Sequence, residues 1–190
     1  MSGYSAIYDI SATLLELLKA HMDNLVAQDR ISLSSPAELQ QDTTPRLGLF
    51  LYQVIENHHL KNSELTAMAA DRLRFPPLAL DAFYLLTAYA QTRESEHQIL
   101  GRAMQIFYDY AIIRGSLLRG GLAGSAEEIK IGLHTLSLDD INKLWNTFGN
   151  RPYKLSMAYR VSLALIESTR ETVAARTTER VGRYGTLPSG

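Results

Sequence analysis

The chain has 190 residues, a length that fits one domain able to bury about 70% of the surface it exposes when unfolded. Its 19 basic and 20 acidic residues give a formal net charge of −1, which argues against nucleic-acid binding and against a basic membrane-binding face. There is no cysteine, no signal-peptide pattern and no apolar run of about 20 residues, so disulfides, thiolate metal sites and direct membrane insertion are not expected.

The N-terminal part of the chain predicts one helix, one short strand and a loop. Apolar residues at helical spacing predict an amphipathic helix over about residues 5–28, with Ser5 as its N-cap. These apolar residues are Ile7, Ile10, Leu14, Leu17, Leu18, Met22 and Leu25. Residues 31–34 then give a short strand signal, and the polar residues 36–45 indicate a loop.

The middle of the chain predicts a central strand and leaves one segment open between helix and strand. Residues 46–57 are apolar on both faces in their first half, as is typical of a strand covered on both sides. The polar connection 58–75 is expected to hold a short helix around 64–72. Residues 76–90 combine leucine and alanine, which favour helix, with aromatic residues and threonine, which favour strand, and periodicity alone does not separate the two.

The next part of the chain predicts a helix, a loop, a strand and a second helix. Helical periodicity covers 94–114, glycines make 115–125 a loop, and alternating apolar residues predict a strand over 129–135. Ser137 is the predicted N-cap of the next helix, with an acidic residue three positions on, and Gly149 ends it. The apolar stripe of that helix consists of Leu138, Ile141, Leu144, Trp145 and Phe148, which are expected to lie in the core.

The segment 153–166 predicts an unusually long strand with two different faces. Its apolar face carries Leu155, Met157, Tyr159, Val161, Leu163 and Leu165, and its small, mildly polar face carries Ser156, Ala158, Arg160, Ser162 and Ala164. The small face is expected to take a covering helix or a neighbouring subunit. The polar residues after this strand indicate a boundary between a domain at 1–168 and a C-terminal tail at 169–190.

No side chain in the sequence has a convincing catalytic or metal-binding pattern. Glu94 and His97 have the spacing of half a dimetal carboxylate site, but the second half is missing. His58 and His59 are adjacent, so their side chains point apart at a strand end. Asp81 is a lone carboxylate in an apolar segment, which is more often structural than catalytic. The sequence therefore predicts no enzyme, no cofactor and no metal.

Four segments together resemble a known family. They are P-P-L-A-L-D-A-F-Y-L-L-T-A-Y-A at 76–90, I-L-G-R-A-M-Q-I-F-Y-D at 99–109, L-S-L-D-D-I-N-K-L-W at 136–145 and P-Y-K-L-S-M-A-Y-R-V-S-L-A-L-I at 152–166. In this order they resemble the cap, or tail-terminator, family of extracellular contractile injection systems, which are phage-tail-like particles. The resemblance covers about residues 5–168.

The resemblance implies a structural protein and a fold. The expected role is to cap the inner tube and the contractile sheath at the end distal to the baseplate, as a homo-hexameric ring without catalytic residues. The expected partners are the inner tube protein and the sheath protein, with assembly in the cytoplasm and incorporation into a particle that can be released. The expected fold is α/β, with a mixed or mainly antiparallel sheet of about four or five strands packed by about three helices, similar to phage tail terminators. The segment 78–89 is then a strand.

The glycine-rich loop and the basic tail are the candidate assembly contacts. The candidates are Arg114, Leu117, Leu118, Arg119 and Leu122 in the loop, and Arg176, Arg180 and Arg183 in the tail. Exposed apolar groups beside arginine are typical of interface centres, and the alternative is that the loop leucines fold back onto the core. The alternative functions are a tail-completion or adaptor protein elsewhere in the particle, and a small enzyme with a site around Asp81 or His134.

Overall fold

The chain is divided into two compact units. The structure is a computed structural model that describes residues 3–22, 25–39, 44–58, 60, 66–69 and 72–173. The first unit lies within residues 1–62 and 77–167, and the second lies within residues 63–76 and 168–190.

The described part of the first unit contains three α-helices and six strands. In chain order these are α1 (Ala6–His21), β1 (Ile31–Ser32), β2 (Arg46–Glu56), β5 (Leu78–Tyr89), α2 (Arg93–Asp109), β6 (Ile112–Arg114), β7 (Glu128–His134), α3 (Leu138–Asn146) and β8 (Ser156–Ile166). The second unit contains β3 (Thr66–Ala69), β4 (Arg72–Arg74) and β9 (Glu171–Val173).

The six strands of the first unit form one mixed sheet in the order β1-β2-β5-β8-β7-β6. The short strand β1 runs parallel to β2, and every other neighbouring pair is antiparallel. The expected α/β fold with a mixed, mainly antiparallel sheet and three helices is confirmed. The sheet is wider than its three long strands because the short strands β1 and β6 extend it at the two edges.

The central strand β5 settles the segment that the sequence left open. It pairs with β2 on one side and β8 on the other, and all its residues after Leu78 are buried. A strand buried on both faces is apolar throughout, so its alternation disappears and its composition resembles that of a buried helix.

The main core lies between one face of the sheet and helices α1 and α2. It includes Ile10, Leu14 and Leu18 of α1, Ile99, Ala103 and Phe107 of α2, and Leu47, Leu49, Leu86, Ile129 and Val161 of the sheet. Tyr84, in the middle of β5, shares a hydrogen bond of 2.8 Å with Ser11 of α1, and both side chains are buried. Helix α1 is therefore joined to the centre of the sheet by both apolar packing and a paired polar contact.

The opposite face of the sheet carries a smaller core beneath α3. Its buried members are Leu85, Trp145, Phe148 and Ala158. Phe148 meets Phe50 edge to face at 5.6 Å between ring centroids and meets Trp145 at 5.5 Å. Helix α3 thus covers part of the small face of β8. The sequence predicted that either a helix or a neighbouring subunit would cover this face.

Helix α2 is fixed at its start by side chains. Thr92 accepts a hydrogen bond from the backbone N–H of Ser95 at 3.2 Å, as an N-cap does. The buried Glu96 in the first turn forms ion pairs with Lys154 and, at 3.4 Å, with Arg93. Because Lys154 lies just before β8, this pairing also positions the start of that long strand.

Three helix predictions are wrong in extent or type. The first helix ends at His21 and not near residue 28, and Ser5 makes no capping hydrogen bond, since its hydroxyl donates instead to Asp9. The helix predicted over 94–114 ends at Asp109, and Ile112–Arg114 pairs with β7 as an edge strand. Ile113 continues the helical spacing of Ile106 and Tyr110 and is buried in the strand, so periodicity did not reveal this break.

The helix predicted around residues 64–72 is wrong over the part that the structure describes. Thr66–Ala69 and Arg72–Arg74 are strands β3 and β4 of a three-stranded sheet with β9. Their alanines, methionine and leucine favour helix locally, but β4 pairs with residues about a hundred positions further along the chain. A local sequence pattern does not reveal strand pairing between residues so far apart in the chain.

The second unit includes the first residues of the predicted tail. The backbone N–H of Phe75 donates to the carbonyl of Arg170 at 3.3 Å, and the Arg170 guanidinium lies 4.5 Å from the centre of the Phe75 ring. Arg74 and Glu171 are 3.9 Å apart as an ion pair. Strand structure therefore continues beyond residue 168, and the division into 1–168 and 169–190 stays a prediction.

Candidate assembly surface

The glycine-rich loop 115–125 packs largely against the main core. It consists of two short 3₁₀ turns, Gly115–Leu117 and Gly120–Leu122. Leu118 and Leu122 are each only 1% exposed and belong to the main core, and Leu117 packs against it. The expectation that Leu118 and Leu122 present an apolar assembly contact is therefore corrected, because burial in the subunit removes them from its surface.

Glycine is required where this loop meets helix α1. Gly120 has φ +61°, and a Cβ there would lie 2.0 Å from Oδ1 of Asp9. The backbone N–H of Arg119 donates to the hydroxyl of Thr13 at 3.0 Å, and the Ser5 hydroxyl donates to Asp9 at 2.8 Å. The loop thus rests closely on the first turns of α1 through backbone that carries no side chain.

The arginines of the loop remain on the surface. Arg114 is exposed and forms an ion pair of 3.4 Å with Glu128, and Arg119 is exposed with its guanidinium donating to the carbonyl of Ser116 at 2.7 Å. Arg114, Leu117 and Arg119 stay candidate assembly contacts. The other candidates, Arg176, Arg180 and Arg183, lie outside the described residues.

Asp81 has the partners that the sequence did not reveal. Its carboxylate is buried and accepts a hydrogen bond from the Arg160 guanidinium at 2.8 Å and from the Asn57 amide at 3.2 and 3.3 Å. Arg160 comes from β8, next to β5, so the pair bridges two central strands. A buried carboxylate that is satisfied by a guanidinium and an amide has a structural role in the sheet.

The other chemically interesting side chains are not gathered into a site. Glu94 and His97 are exposed on the first turns of α2, and His58 is exposed after β2, while His59 lies outside the described residues. The first-turn position gives Glu94 a lowered pKa, through a backbone hydrogen bond and then a hydrogen bond with Thr92. Within the described residues, no group of three His, Asp or Glu side chains is placed to hold a metal ion.

Helix α3 begins with a well-formed cap. The Ser137 hydroxyl accepts from the backbone N–H of Asp140 at 3.1 Å and donates to its carboxylate at 2.6 Å, and this bond lowers the pKa of Asp140. Lys143 pairs with Asp139 at 2.6 Å on the exposed side of the helix. These contacts confirm Ser137 as the N-cap and fix the helix start, although its first residue, Leu138, is mostly exposed.

An apolar groove lies between α3 and the end of strands β7 and β8. It has a volume of about 230 Å³. Its walls include Leu133, Ile141, Trp145, Tyr153, Leu155 and Met157. Leu133, Tyr153 and Leu155 are substantially exposed, so the groove opens to solvent with apolar walls.

Two polar atoms beneath α3 lack hydrogen bonds. The indole N–H of Trp145 and the hydroxyl of Tyr52 are buried, and neither has a partner among the described residues. Burial raises the pKa of Tyr52 to about 12, with a further contribution from the charge of Asp140. This side of the sheet therefore carries a desolvation cost that the main core avoids.

The sequence missed the outer edge of β7 as a surface feature. Leu133 on β7 is 56% exposed, and Tyr108 near the end of α2 is 84% exposed. Ile112 on β6 is also exposed. The alternation over 129–135 predicts the strand, but it does not reveal that β6 covers only half of β7.

No helix in the described part of the chain is long and apolar enough to cross a membrane.

A mixed sheet with helices on both faces and an open apolar groove beside α3 makes this an α/β protein. The chain belongs to the family described as the Pvc16 N-terminal domain, whose profile matches residues 9–180. A search of curated protein sequences returns no significant match.

Two solved structures share the fold. One is the sheath/tube terminator of the PVC extracellular contractile injection system in its extended state, with a TM-score of 0.68 and 19% identity, covering 99% of this chain and 67% of that one. The other is the tube terminating cap of the anti-feeding prophage, with a TM-score of 0.61 and 18% identity, covering 93% of this chain and 61% of that one. Both are described as terminators and not as enzymes.

Proposed function

We propose that this protein is the structural cap that terminates the inner tube and contractile sheath of a contractile injection system, at the end distal to the baseplate. The observation that carries the proposal is the family match over residues 9–180. It is supported by the fold shared with a sheath/tube terminator and with a tube terminating cap. Because the chain spans 67% and 61% of those two proteins, the proposed role is that of the shared domain.

The proposed assembly is a homo-hexameric ring that contacts the inner tube protein and the sheath protein. An open stack of rings grows until its end is blocked, so a terminator needs one docking face and a different face that offers no further docking. The different coverage of the two faces of the main sheet supports this assignment. Helices α1 and α2 and the docked loop pack on one face, and the shorter α3, with an open apolar groove beside it, packs on the other.

The enzyme alternative has little support from the geometry. Asp81 is held by Arg160 and Asn57, and His134 meets the edge of the Phe83 ring at 4.9 Å. The carboxylates of Asp81 and of Asp140, which lies near His134, are both already engaged in structural hydrogen bonds. The proposed role is therefore structural, with assembly in the cytoplasm into a particle that can be released, and without nucleic acid or membrane insertion.

Electron microscopy of particles with an epitope on this protein tests the proposal. Antibody label at the end distal to the baseplate, together with six-fold density at that end, is the expected result. Label at the baseplate end or along the particle would favour the tail-completion or adaptor role. Three-fold or five-fold density at this subunit would contradict the ring.

A further inference from the structure

The outer edge of β7 is open at Leu133. Strand β6 pairs with β7 only from Glu128 to Lys130, and the backbone N–H of Ile131 donates to the carbonyl of Ala111 at 2.8 Å on the same outer side. Backbone groups two residues apart in a strand point the same way, so the N–H and C=O of Leu133 also point outward. No described residue pairs with them there.

An apolar groove flanks this edge on the face of the sheet that carries α1 and α2. It has a volume of about 350 Å³. Its walls include Met104, Phe107, Tyr108, Ala111, Ile131 and Tyr159. Tyr108 stands at its rim, almost fully exposed, so an apolar side chain entering the groove meets an aromatic ring already at the surface.

A polar, basic cleft flanks the same edge on the opposite side. It has a volume of about 370 Å³, and Gly132 forms its floor between Lys130 and His134, with Arg160 and Ser162 on the neighbouring strand. A Cβ at Gly132 would meet nothing within 4 Å, so the cleft is open above the backbone.

The charges around this cleft leave it basic. Lys130 is exposed and has no ion-pair partner among the described residues. Arg160 is 44% exposed, although one of its nitrogens is bonded to Asp81. The other nearby carboxylates are already engaged, Asp140 by the Ser137 cap and Glu128 by Arg114.

We propose that the Leu133 edge of β7 takes up an extended segment of a partner protein in which apolar and acidic residues alternate. Added strands gain their affinity from main-chain hydrogen bonds and their specificity from pockets for alternate side chains. Here one set of side chains enters the apolar groove by Tyr108, and the alternate set places carboxylates beside Lys130 and Arg160. This proposal rests on the proposed terminator role, because the extended segment would belong to a neighbouring subunit of the particle.

A second copy of the chain fits this edge less well. Pairing β7 with itself about Leu133 would give a two-fold dimer, which does not build a ring, and would place two basic clefts side by side. Charge complementarity therefore favours a different, acidic segment as the occupant.

Short synthetic peptides test the proposal on the full chain. The probes are two fluorescent peptides of about eight residues, one alternating valine with glutamate and the other alternating valine with lysine. We expect the glutamate peptide to bind at least about tenfold more tightly by fluorescence anisotropy, and to slow hydrogen exchange of the Leu133 amide. Equal binding of the two peptides, or an unprotected Leu133 amide, would overturn the proposal, and dimerisation of the free chain through β7 would replace it with self-pairing.

Substitutions separate the edge from its flanks. Leu133→Pro removes the outward N–H and is expected to abolish peptide binding, whereas Leu133→Ala keeps the N–H and retains most of it. Lys130→Glu is expected to remove the preference for glutamate without loss of folding, since Lys130 is exposed. Unaltered preference in Lys130→Glu overturns the charge argument even if Leu133→Pro fails to fold. Peptide binding is measured without particles, so its result is independent of whether deletion of the protein alters particle length.

Discussion

The two faces of the main sheet differ in how completely their polar groups are paired. Under α1 and α2, the Tyr84 hydroxyl forms a hydrogen bond with Ser11, and the Thr13 hydroxyl accepts one from the backbone N–H of Arg119. Under α3, the indole N–H of Trp145 and the hydroxyl of Tyr52 have no partner among the described residues. The buried polar groups of the first face are paired, whereas the second face keeps both unpaired groups.

This difference teaches where the chain keeps adaptable surface. Paired polar groups in a close-packed core fix one arrangement of helices α1 and α2. Helix α3 has only nine residues and carries an exposed leucine at its start. We expect the α3 face to adjust on assembly and the α1–α2 face to remain as it is in the isolated subunit.

Removing Trp145 is expected to give the largest loss of stability. Trp145 is buried and meets Phe148 and Tyr153 edge to face at 5.5 and 5.4 Å. Trp145→Ala should cost about 3–5 kcal/mol through lost burial and a cavity. Trp145→Phe is the control, with an expected cost of about 1 kcal/mol, because no indole hydrogen bond is lost. Urea unfolding measures both, and an unchanged midpoint for Trp145→Ala would show that α3 does not pack on the sheet.

Gly120→Ala tests whether the loop belongs to the main core. The new Cβ would collide with Asp9 and hold an unfavourable φ, so we expect a loss of about 3 kcal/mol. Gly124→Ala is the matched control, since Gly124 has φ +73° with no atom within 4 Å of the added Cβ, and it should cost about 1 kcal/mol. Equal losses for the two variants would mean that the loop does not rest on α1.

Two tyrosine substitutions compare the faces directly. Tyr84→Phe removes a buried hydrogen bond to Ser11 and should cost about 1 kcal/mol at pH 8. Tyr52→Phe removes an unpaired buried hydroxyl and should be neutral or stabilising by up to about 1 kcal/mol. A clear loss of stability in Tyr52→Phe would show that the α3 face is satisfied as well.

High pH should narrow the difference in unfolding free energy between the wild type and Tyr84→Phe. Burial raises the pKa of Tyr84 from 10.0 to about 12, so the folded state holds this proton more tightly than the unfolded state. The associated stability is fully present below pH 10 and is lost as the pH rises through about 12. At pH 11 the wild type should lose about 1 kcal/mol on this account, which Tyr84→Phe does not lose. A difference in unfolding free energy that is the same at pH 8 and pH 11 would contradict the burial of the Tyr84 hydroxyl.

The elements that local pattern predicts best are those with one buried face or a cap. The strand 153–166 and the helix capped by Ser137 are both present, with strand pairing beginning at Ser156. The pattern of β5 alone does not distinguish strand from helix, because burial on both faces erases its alternation, and only the family resemblance predicts a strand there. Strand β4 pairs with β9 about a hundred residues further on, and the edge strand β6 pairs with β7 across the glycine-rich loop, so the local pattern predicted helix at both places.

The candidate surface was harder to predict than the fold. Leucines beside glycine and arginine indicated an exposed loop, yet Leu118 and Leu122 are buried because Gly120 lets the loop approach α1 closely. The open edge at Leu133 depends on where β6 stops, and the groove by α3 depends on side chains from four separate segments. Both follow from tertiary placement, which periodicity does not contain.

Particle length in a deletion strain tests the terminator role most directly. Sheaths and tubes from strains with and without this protein would be measured by negative-stain electron microscopy, with a complemented strain as control. The proposed role predicts tubes and sheaths of abnormal or variable length and few stable full-length particles, because nothing blocks the growing end. A length distribution and a particle number that match the parent strain would contradict it.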